Sequence, residues 1–517
     1  MSDPVQDNLG YFFDDAARRT PDHTALIDLW GERERIITYR EFDDRTERAG
    51  ALVRSVGLKP GDRLALLVGN RSEYLEIFFG AMRAGVVPVP LNTKQTPDVL
   101  DFMIRDAGCV AAAVDPEATP EGFALAESAG LRARIAIAAV PDGWIDYEAA
   151  LAKMIPSRAP ALSPDGIAFQ PYTAGSTGWP KGVRLTHRGM LWSIRSTHAH
   201  WPTDASEIGL VAVPLFHKNA MRGIVKPALY AGATVVLMPR FESRAFLEAL
   251  ARYRVTFSGG VPAIFTMLLQ HRDLFERLDF SALTMFAIGS AVVPQGMVDA
   301  LERVFPNLKV KESYGLTEGG GPLRAPIDGR AVPHGSCGIA TEGYEVKLVS
   351  LAGQEGVAEG ELWTRNPCVT EGYHNLPEVT RAKIVDGWLR TGDVFRKDSD
   401  GFFYFMGRVD DMFSCGGENI YPKEVENLLF SHPAVRDACV VPIPHQVKGF
   451  VPAAIVALRE GSEITPEELK AFCLDRGPAY AHPRRVVIVD ELPLSGAGKL
   501  DRKAVQRRLS ALAQSEA

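Results

Sequence analysis

The stretch RLALLVGNRSEYLEIFFGAMRAGVVPVP, residues 63–90, reads as strand, helix, strand. Arg63–Val68 is a short apolar run, Ser72–Ala84 carries apolar residues at helical spacing, and Val86–Pro90 returns to a β-branched pattern. The same alternation recurs at Gly209–Pro214, a helical stretch ending at Tyr230, Thr234–Met238 and Ser243–Tyr253. Alternation of this kind builds α/β layers, so two doubly wound α/β subdomains are expected in a large N-terminal domain. Beyond Glu318 the texture changes to glycine-rich turns between short strands such as Val346–Val349 and Gly360–Trp363, the pattern of a small β-barrel or meander. A small α+β unit follows. It has helices at Pro422–Phe430 and Thr465–Cys473, the second capped by Thr465 with Pro466 at its first position, and strands at Ala438–Val441 and Ala453–Ala457. The boundary falls at Arg408–Asp411, dividing residues 1–408 from 412–517. The alanine-rich stretch 110–129 reads as helix and small-residue packing.

With 517 residues the chain is too long for one core. Its 46% hydrophobic and 23% charged content is that of a globular protein. A net charge of −7 argues against nucleic acid or an anionic membrane as a general partner. Six cysteines without C-x-x-C spacing indicate neither a disulfide framework nor a zinc site, which suits a reducing cytoplasm. The acidic N-terminus does not look like a secretory signal, and no stretch reaches the length of a membrane span.

Five further segments carry chemistry: YTAGSTGWPKG (172–182), SYGLTE (313–318), GWLRTGD (387–393), GRVDDMFSCGGENIYPKEVE (407–426) and LPLSGAGKLDR (492–502). In the first, Thr173, Ser176 and Thr177 offer hydroxyls, Gly175 and Gly178 let backbone approach, and Lys181 adds a cation, so the loop can wrap phosphate oxygens. Its spacing is not that of a P-loop, because Trp179-Pro180 precede the lysine and Gly182 follows it. Glu318 is a carboxylate suited to a hard cation held jointly with phosphates, and Tyr314 offers an aromatic face. Asp393 has two acceptor oxygens for vicinal hydroxyls. Lys499 sits on a loop whose Gly496 and Gly498 allow reach.

Together these segments, with ITYREF (37–42), GLKPGD (57–62) and AGVVPVPL (84–91), resemble the acyl-CoA synthetases of the adenylate-forming superfamily over essentially the whole chain. The chain departs from the family at Ala174, where serine is common. The resemblance implies an ATP-dependent acid–CoA ligase using ATP, Mg²⁺ and coenzyme A. It places Tyr314 against adenine with Gly289, Ser290 and Ala291 as the second wall. Ser313, Gly315 and Thr317 complete the nucleotide site, and Glu318 with Thr177 serves the metal. Asp393 and Arg408 hold the ribose, and Lys499 stabilises charge as carboxylate attacks the α-phosphate. Asp410 becomes a hinge at 409–411 that turns a mobile C-terminal domain, bringing Gly416 and Gly417, with Tyr480, His482 and Arg484, to CoA. The acyl pocket falls to Phe216, His217 and Lys218 opposite Gly259, Gly260 and Val261, with His217 packing as an aromatic gate. His217 and Lys218 stand where amino-acid-activating relatives have an aspartate near the wall, which argues against amino acids; Lys218 and Arg222 pair a second carboxylate or polar tail, or they are solvated or ATP-side cations. Two alternatives stay open: a ligase loading a carrier protein's phosphopantetheine, and a nucleotide-binding sensor without catalysis. A homodimer also stays open.

Overall fold

The computed structural model describes residues 7–31, 34–158, 162–173, 179–289, 293, 295–415, 418–493 and 500–514. Two compact units emerge: residues 1–346 with 364–389, and residues 347–363 with 390–517. Each is built differently.

The first unit holds a mixed nine-stranded sheet and a parallel five-stranded one. The nine-stranded one runs, in spatial order, Ile339–Ala340, Gly320–Arg324, Lys309–Leu316, Met285–Gly289, Phe257–Gly260, Ile208–Val211, Thr234–Leu237, Thr24–Asp28 and Arg35–Thr38. Its six central strands are parallel, and the edges are antiparallel. The five-stranded one, Val87–Pro90, Arg63–Leu67, Cys109–Val114, Ala133–Ala136 and Ile145–Asp146, is parallel throughout. The strand–helix–strand reading of 63–90 appears as Arg63–Leu67, Ser72–Arg83 and Val87–Pro90. A crossover helix is needed there because parallel neighbours cannot be joined by a tight turn.

The alanine-rich stretch differs from its reading in one half. Cys109–Val114 is a strand, and only Gly122–Ser128 is helical. Ala111, Ala112 and Ala113 are fully buried on both faces, so the polar–apolar alternation that marks a strand has nothing to report.

The helices Tyr39–Ser55 and Ser72–Arg83 cross at Gly50 and Gly80. A Cβ on Gly80 would lie 2.7 Å from both the Ala49 Cβ and the Thr46 carbonyl, so the glycine sets the approach distance. Beside it Arg83 is fully buried, its guanidinium 2.6 Å from Asp43, 3.2 Å from Glu47 and 3.5 Å from Asp14. Burial pushes the Asp14 and Glu47 carboxyls upward, opposed first by Arg83 and then by Arg158, whose guanidinium lies 2.7 Å from Asp14. Arg83→Ala is therefore expected to cost about 3–5 kcal/mol, read as a shift in the urea midpoint, because it strands buried carboxylates rather than removing a surface pair.

Mostly within the second unit, Glu345–Val349, Glu359–Arg365, Trp388–Lys397 and Phe403–Arg408 belong to a small sheet, where short strands were read between glycine-rich turns. The chain then forms a second sheet from Phe413–Cys415, Glu418–Ile420, Val435–His445, Gly449–Leu458 and Arg485–Val489. Helices Pro422–Phe430, Pro466–Arg476 and Arg502–Gln514 accompany it. Thr465 caps its helix reciprocally with Glu468, and Pro466 occupies the first turn, where no amide donor is needed. Among the described residues no helix is long and apolar enough to cross a membrane.

Candidate active site

The phosphate-loop segment starts from a hairpin. Tyr172–Thr173 pairs antiparallel with Lys181–Gly182, placing Lys181 opposite Thr173 at the base of the loop. Gly175, Ser176, Thr177 and Gly178 lie outside the described residues. The Thr173 hydroxyl donates to Glu318 Oε1 at 3.4 Å across 145 residues of sequence. Tyr373 donates to the same oxygen at 3.1 Å, and its ring lies 5.9 Å from Lys181 Nζ. Two segments separated in the chain are thus tied by one carboxylate. Tyr373 was not evident from the motifs; it reaches the loop only by bridging to Val183 from a distant part of the chain, which leaves no signal in the sequence.

Glu318 sits in the tight turn Thr317–Gly319, closed by the pairing of Leu316 with Gly320. Gly320 takes φ +77°, and a Cβ there would meet Cys368 Sγ at 2.4 Å, so glycine is required. Among the described residues no group of three or more His, Cys, Asp or Glu could hold a metal. A single carboxylate with a neighbouring hydroxyl fits Mg²⁺, which takes one or two protein carboxylates and completes its shell with phosphates and water.

Ser313, Tyr314 and Gly315 lie on the strand Lys309–Leu316, with Gly289 paired to Ser313. The Lys218 ammonium donates to the Gly315 carbonyl, and the Arg222 guanidinium lies where a Gly315 side chain would stand. A cavity of ≈ 60 Å³ opens here, at the carboxyl ends of the central parallel strands. Gly259, Gly260, Gly289, Ser313 and Gly315 line it, joining the predicted acyl wall to the predicted nucleotide wall. Phe216, His217, Lys218 and Val261 are not among its lining residues. His217 instead precedes the short helix Lys218–Ala220 with its ring 5.5 Å from Phe216, and it is exposed. Ser290 and Ala291 lie outside the described residues.

Asn219, next to Lys218 in the stretch expected to form the acyl wall, also lines the cavity, as do Thr197, Trp201 and Arg324, which were missed. One signal was available: Arg324 ends GGPLR, a strand otherwise free of charge, and it is only 3% exposed. Thr197 and Trp201, one helical turn apart, carried none.

Glu312 precedes these residues, paired with Ile288. Burial raises its carboxyl from 4.5 to about 7. Between those values the folded state keeps a proton that the unfolded chain releases, so stability falls as pH rises through this window. Glu312→Gln should remove that part of the slope and stabilise the protein at pH 8 by about 1 kcal/mol, as urea midpoints at pH 5 and pH 8 would show.

In the second unit, Asp393 and Arg408 face each other in the ladder, with Arg408 Nη1 2.8 Å from Asp393 Oδ1. The Thr391 hydroxyl accepts from the Asp393 amide at 3.1 Å and donates to the Leu362 carbonyl at 2.7 Å, and the Gly392 amide donates to Glu361 at 2.9 Å. Asp393 is only 8% exposed and held by backbone on both sides, a rigid acceptor. Asp410 is exposed in the single turn Val409–Asp411. Arg484 Nη1 lies 2.8 Å from His482 Nε2, with Tyr480 exposed nearby in the chain. Gly416, Gly417 and Lys499 lie outside the described residues.

The sequence profile described as AMP-binding enzyme matches residues 13–374, and that of the AMP-binding enzyme C-terminal domain matches residues 424–499. The chain belongs to the AMP-binding enzyme family. It is 35% identical to a feruloyl-CoA synthase of Amycolatopsis sp. over 91% of this chain and 94% of that one. It is 32% identical to 4-coumarate–CoA ligase 2 of Oryza sativa subsp. japonica, covering 96% and 91%. Its fold matches the crystal structure of ATP-bound MatB from Rhodopseudomonas palustris with a TM-score of 0.88, at 26% identity, over 98% of this chain and 99% of that one.

Proposed function

We propose that the protein is an AMP-forming acid–CoA ligase. A carboxylate attacks the α-phosphate of ATP, forming acyl-AMP and releasing pyrophosphate; the CoA thiol then attacks the acyl carbon, losing its proton, and AMP leaves. The observation that supports this most directly is the contact of Thr173 with Glu318, which joins a phosphate loop to the acid suited to its cation. The relatives' names, a feruloyl-CoA synthase and a 4-coumarate–CoA ligase, favour free CoA over a carrier protein as acceptor. They speak equally against a non-catalytic sensor.

In this reading Thr173 and Lys181 orient the polyphosphate, Tyr314 and Gly289 flank adenine, and Asp393, steadied by Arg408, accepts from the ribose hydroxyls. Glu318 would hold Mg²⁺, whose charge offsets that of the phosphates. Gly259 and Gly260, which line the cavity without side chains, leave room for the acyl group. His217 closes the entrance as an aromatic gate. None of the six cysteines is in a disulfide, in keeping with a reducing cytoplasm.

The C-terminal domain beyond Asp410 serves the two half-reactions in turn, presenting Lys499 first and Gly416–Gly417 second. Asp410→Pro, which locks φ at the hinge, should leave pyrophosphate exchange within about threefold and lower CoA turnover at least about tenfold. Unchanged CoA turnover would remove Asp410 as the hinge. The reading as a whole is tested by assaying a panel of carboxylic acids, hydroxycinnamates included, for CoA-dependent AMP release with stoichiometric pyrophosphate. Absence of AMP release across the panel would end it.

A further inference from the structure

Two donors at the cavity by the strand ends have no acceptor. Arg222 Nη1 and Trp201 Nε1 are both buried and both lack a hydrogen-bond partner. Such orphans are rare in folded proteins and call for a ligand or a specific reason. Arg324 stands beside them, with Nη2 2.8 Å from the Thr197 hydroxyl and its guanidinium 5.5 Å over the Trp201 ring. Among the described residues neither arginine forms an ion pair with a carboxylate. Burial, and after it the neighbouring Arg222 charge, pushes Arg324 down to about 10. Lys226, fully buried one turn beyond Arg222, is pushed down to about 8 by burial first and by Arg222 in addition.

The backbone here is special too. Arg222 and Gly223 lie on a π-helical turn, Met221–Val225, between the short helix Lys218–Ala220 and the helix Lys226–Ala231. A π turn is a costly local form, often kept where a helix must aim a side chain at a site. The guanidinium it presents covers Gly315 so closely that a Cβ would fall 2.2 Å from Nη2. Uncompensated positive charge and unused N–H groups thus converge on one small space beside the acyl wall Gly259–Gly260.

We propose that this cavity is a subsite for the distal carboxylate of the acid substrate, so that the enzyme's substrates are dicarboxylic acids activated at one end. The inference rests on the ligase reading above. A carboxylate supplies four acceptor sites and a negative charge, matching the Arg222 and Arg324 forks and the Trp201 N–H. A methyl ester of the same acid keeps the shape and loses the charge.

The experiment compares matched pairs: terephthalate with its monomethyl ester, 4-carboxycinnamate with the ester of its ring carboxyl, and adipate with its monomethyl ester. The readout is kcat/KM for CoA-dependent AMP release by the full-length enzyme, the wild type and Arg222→Met, Arg222→Lys and Trp201→Phe. Expected is a wild-type preference for the diacid of more than about tenfold in at least one pair, falling about 10–100-fold in Arg222→Met and partly restored in Arg222→Lys. Trp201→Phe should lower the preference about threefold to tenfold, and it decides the matter if thermal unfolding shows Arg222→Met to be misfolded. A wild type that prefers the half-esters, or that favours neutral hydroxycinnamates over every diacid, overturns the subsite and leaves the ligase standing. The same holds if the preference is unchanged in a folded variant. If no acid in either panel releases AMP, the ligase reading falls and takes the subsite with it.

Discussion

Lys499→Ala is expected to slow pyrophosphate exchange by about 10³-fold while leaving thioester formation from supplied acyl-AMP within about threefold of the wild type. The reasoning is electrostatic. In the first half-reaction a carboxylate approaches a phosphate, two anions whose repulsion grows until the oxygen–phosphorus bond forms. In the role proposed for it, Lys499 would meet charge that exists only on the way to the adenylate, so its loss should fall on the rate more than on ground-state binding. In the second half-reaction the phosphate is a leaving group and the nucleophile is sulfur, with no such gap to bridge. Measuring exchange and acyl-AMP consumption side by side separates the two. Equal losses in both would refute a division of labour between opposite faces of the C-terminal domain.

Glu318→Gln is the second large effect. Glutamine keeps the size of the side chain and an acceptor for the Thr173 and Tyr373 hydroxyls, so the local ties at 3.4 and 3.1 Å survive. The negative charge does not survive. Adenylation is expected to fall about 10²-fold, with the magnesium concentration for half-maximal rate rising at least about tenfold, while the unfolding midpoint hardly moves. Activity close to wild type with an unchanged magnesium requirement would reduce Glu318 to a scaffold residue between two hydroxyls.

Much of the architecture was legible because local and global preferences agree. In 63–90 the helical period, the small residues at Gly80 and Ala84, and the flanking branched strands all point to one crossover, and that crossover is found. The alanine run at 110–114 failed for the opposite reason: a strand buried on both faces loses the alternation by which strands are recognised. The motif residues suggest their chemistry from composition, since a hydroxyl–glycine loop suits phosphate oxygens and the carboxylate of a Thr-Glu turn suits a hard cation.

Residue order alone therefore fixes the family and the α/β layering, and it nominates the groups proposed to handle ATP, since each depends on short segments whose composition has few physical uses. Folding in three dimensions adds what distance along the chain conceals. Thr197 from a helix, Trp201 just past its end, Arg222 from a π turn and Arg324 from the strand next to the sheet edge meet around one cavity although up to 127 residues separate them. An arginine looks the same in the sequence whether solvated or buried; its meaning arises only once packing has removed water and every competing carboxylate from its side.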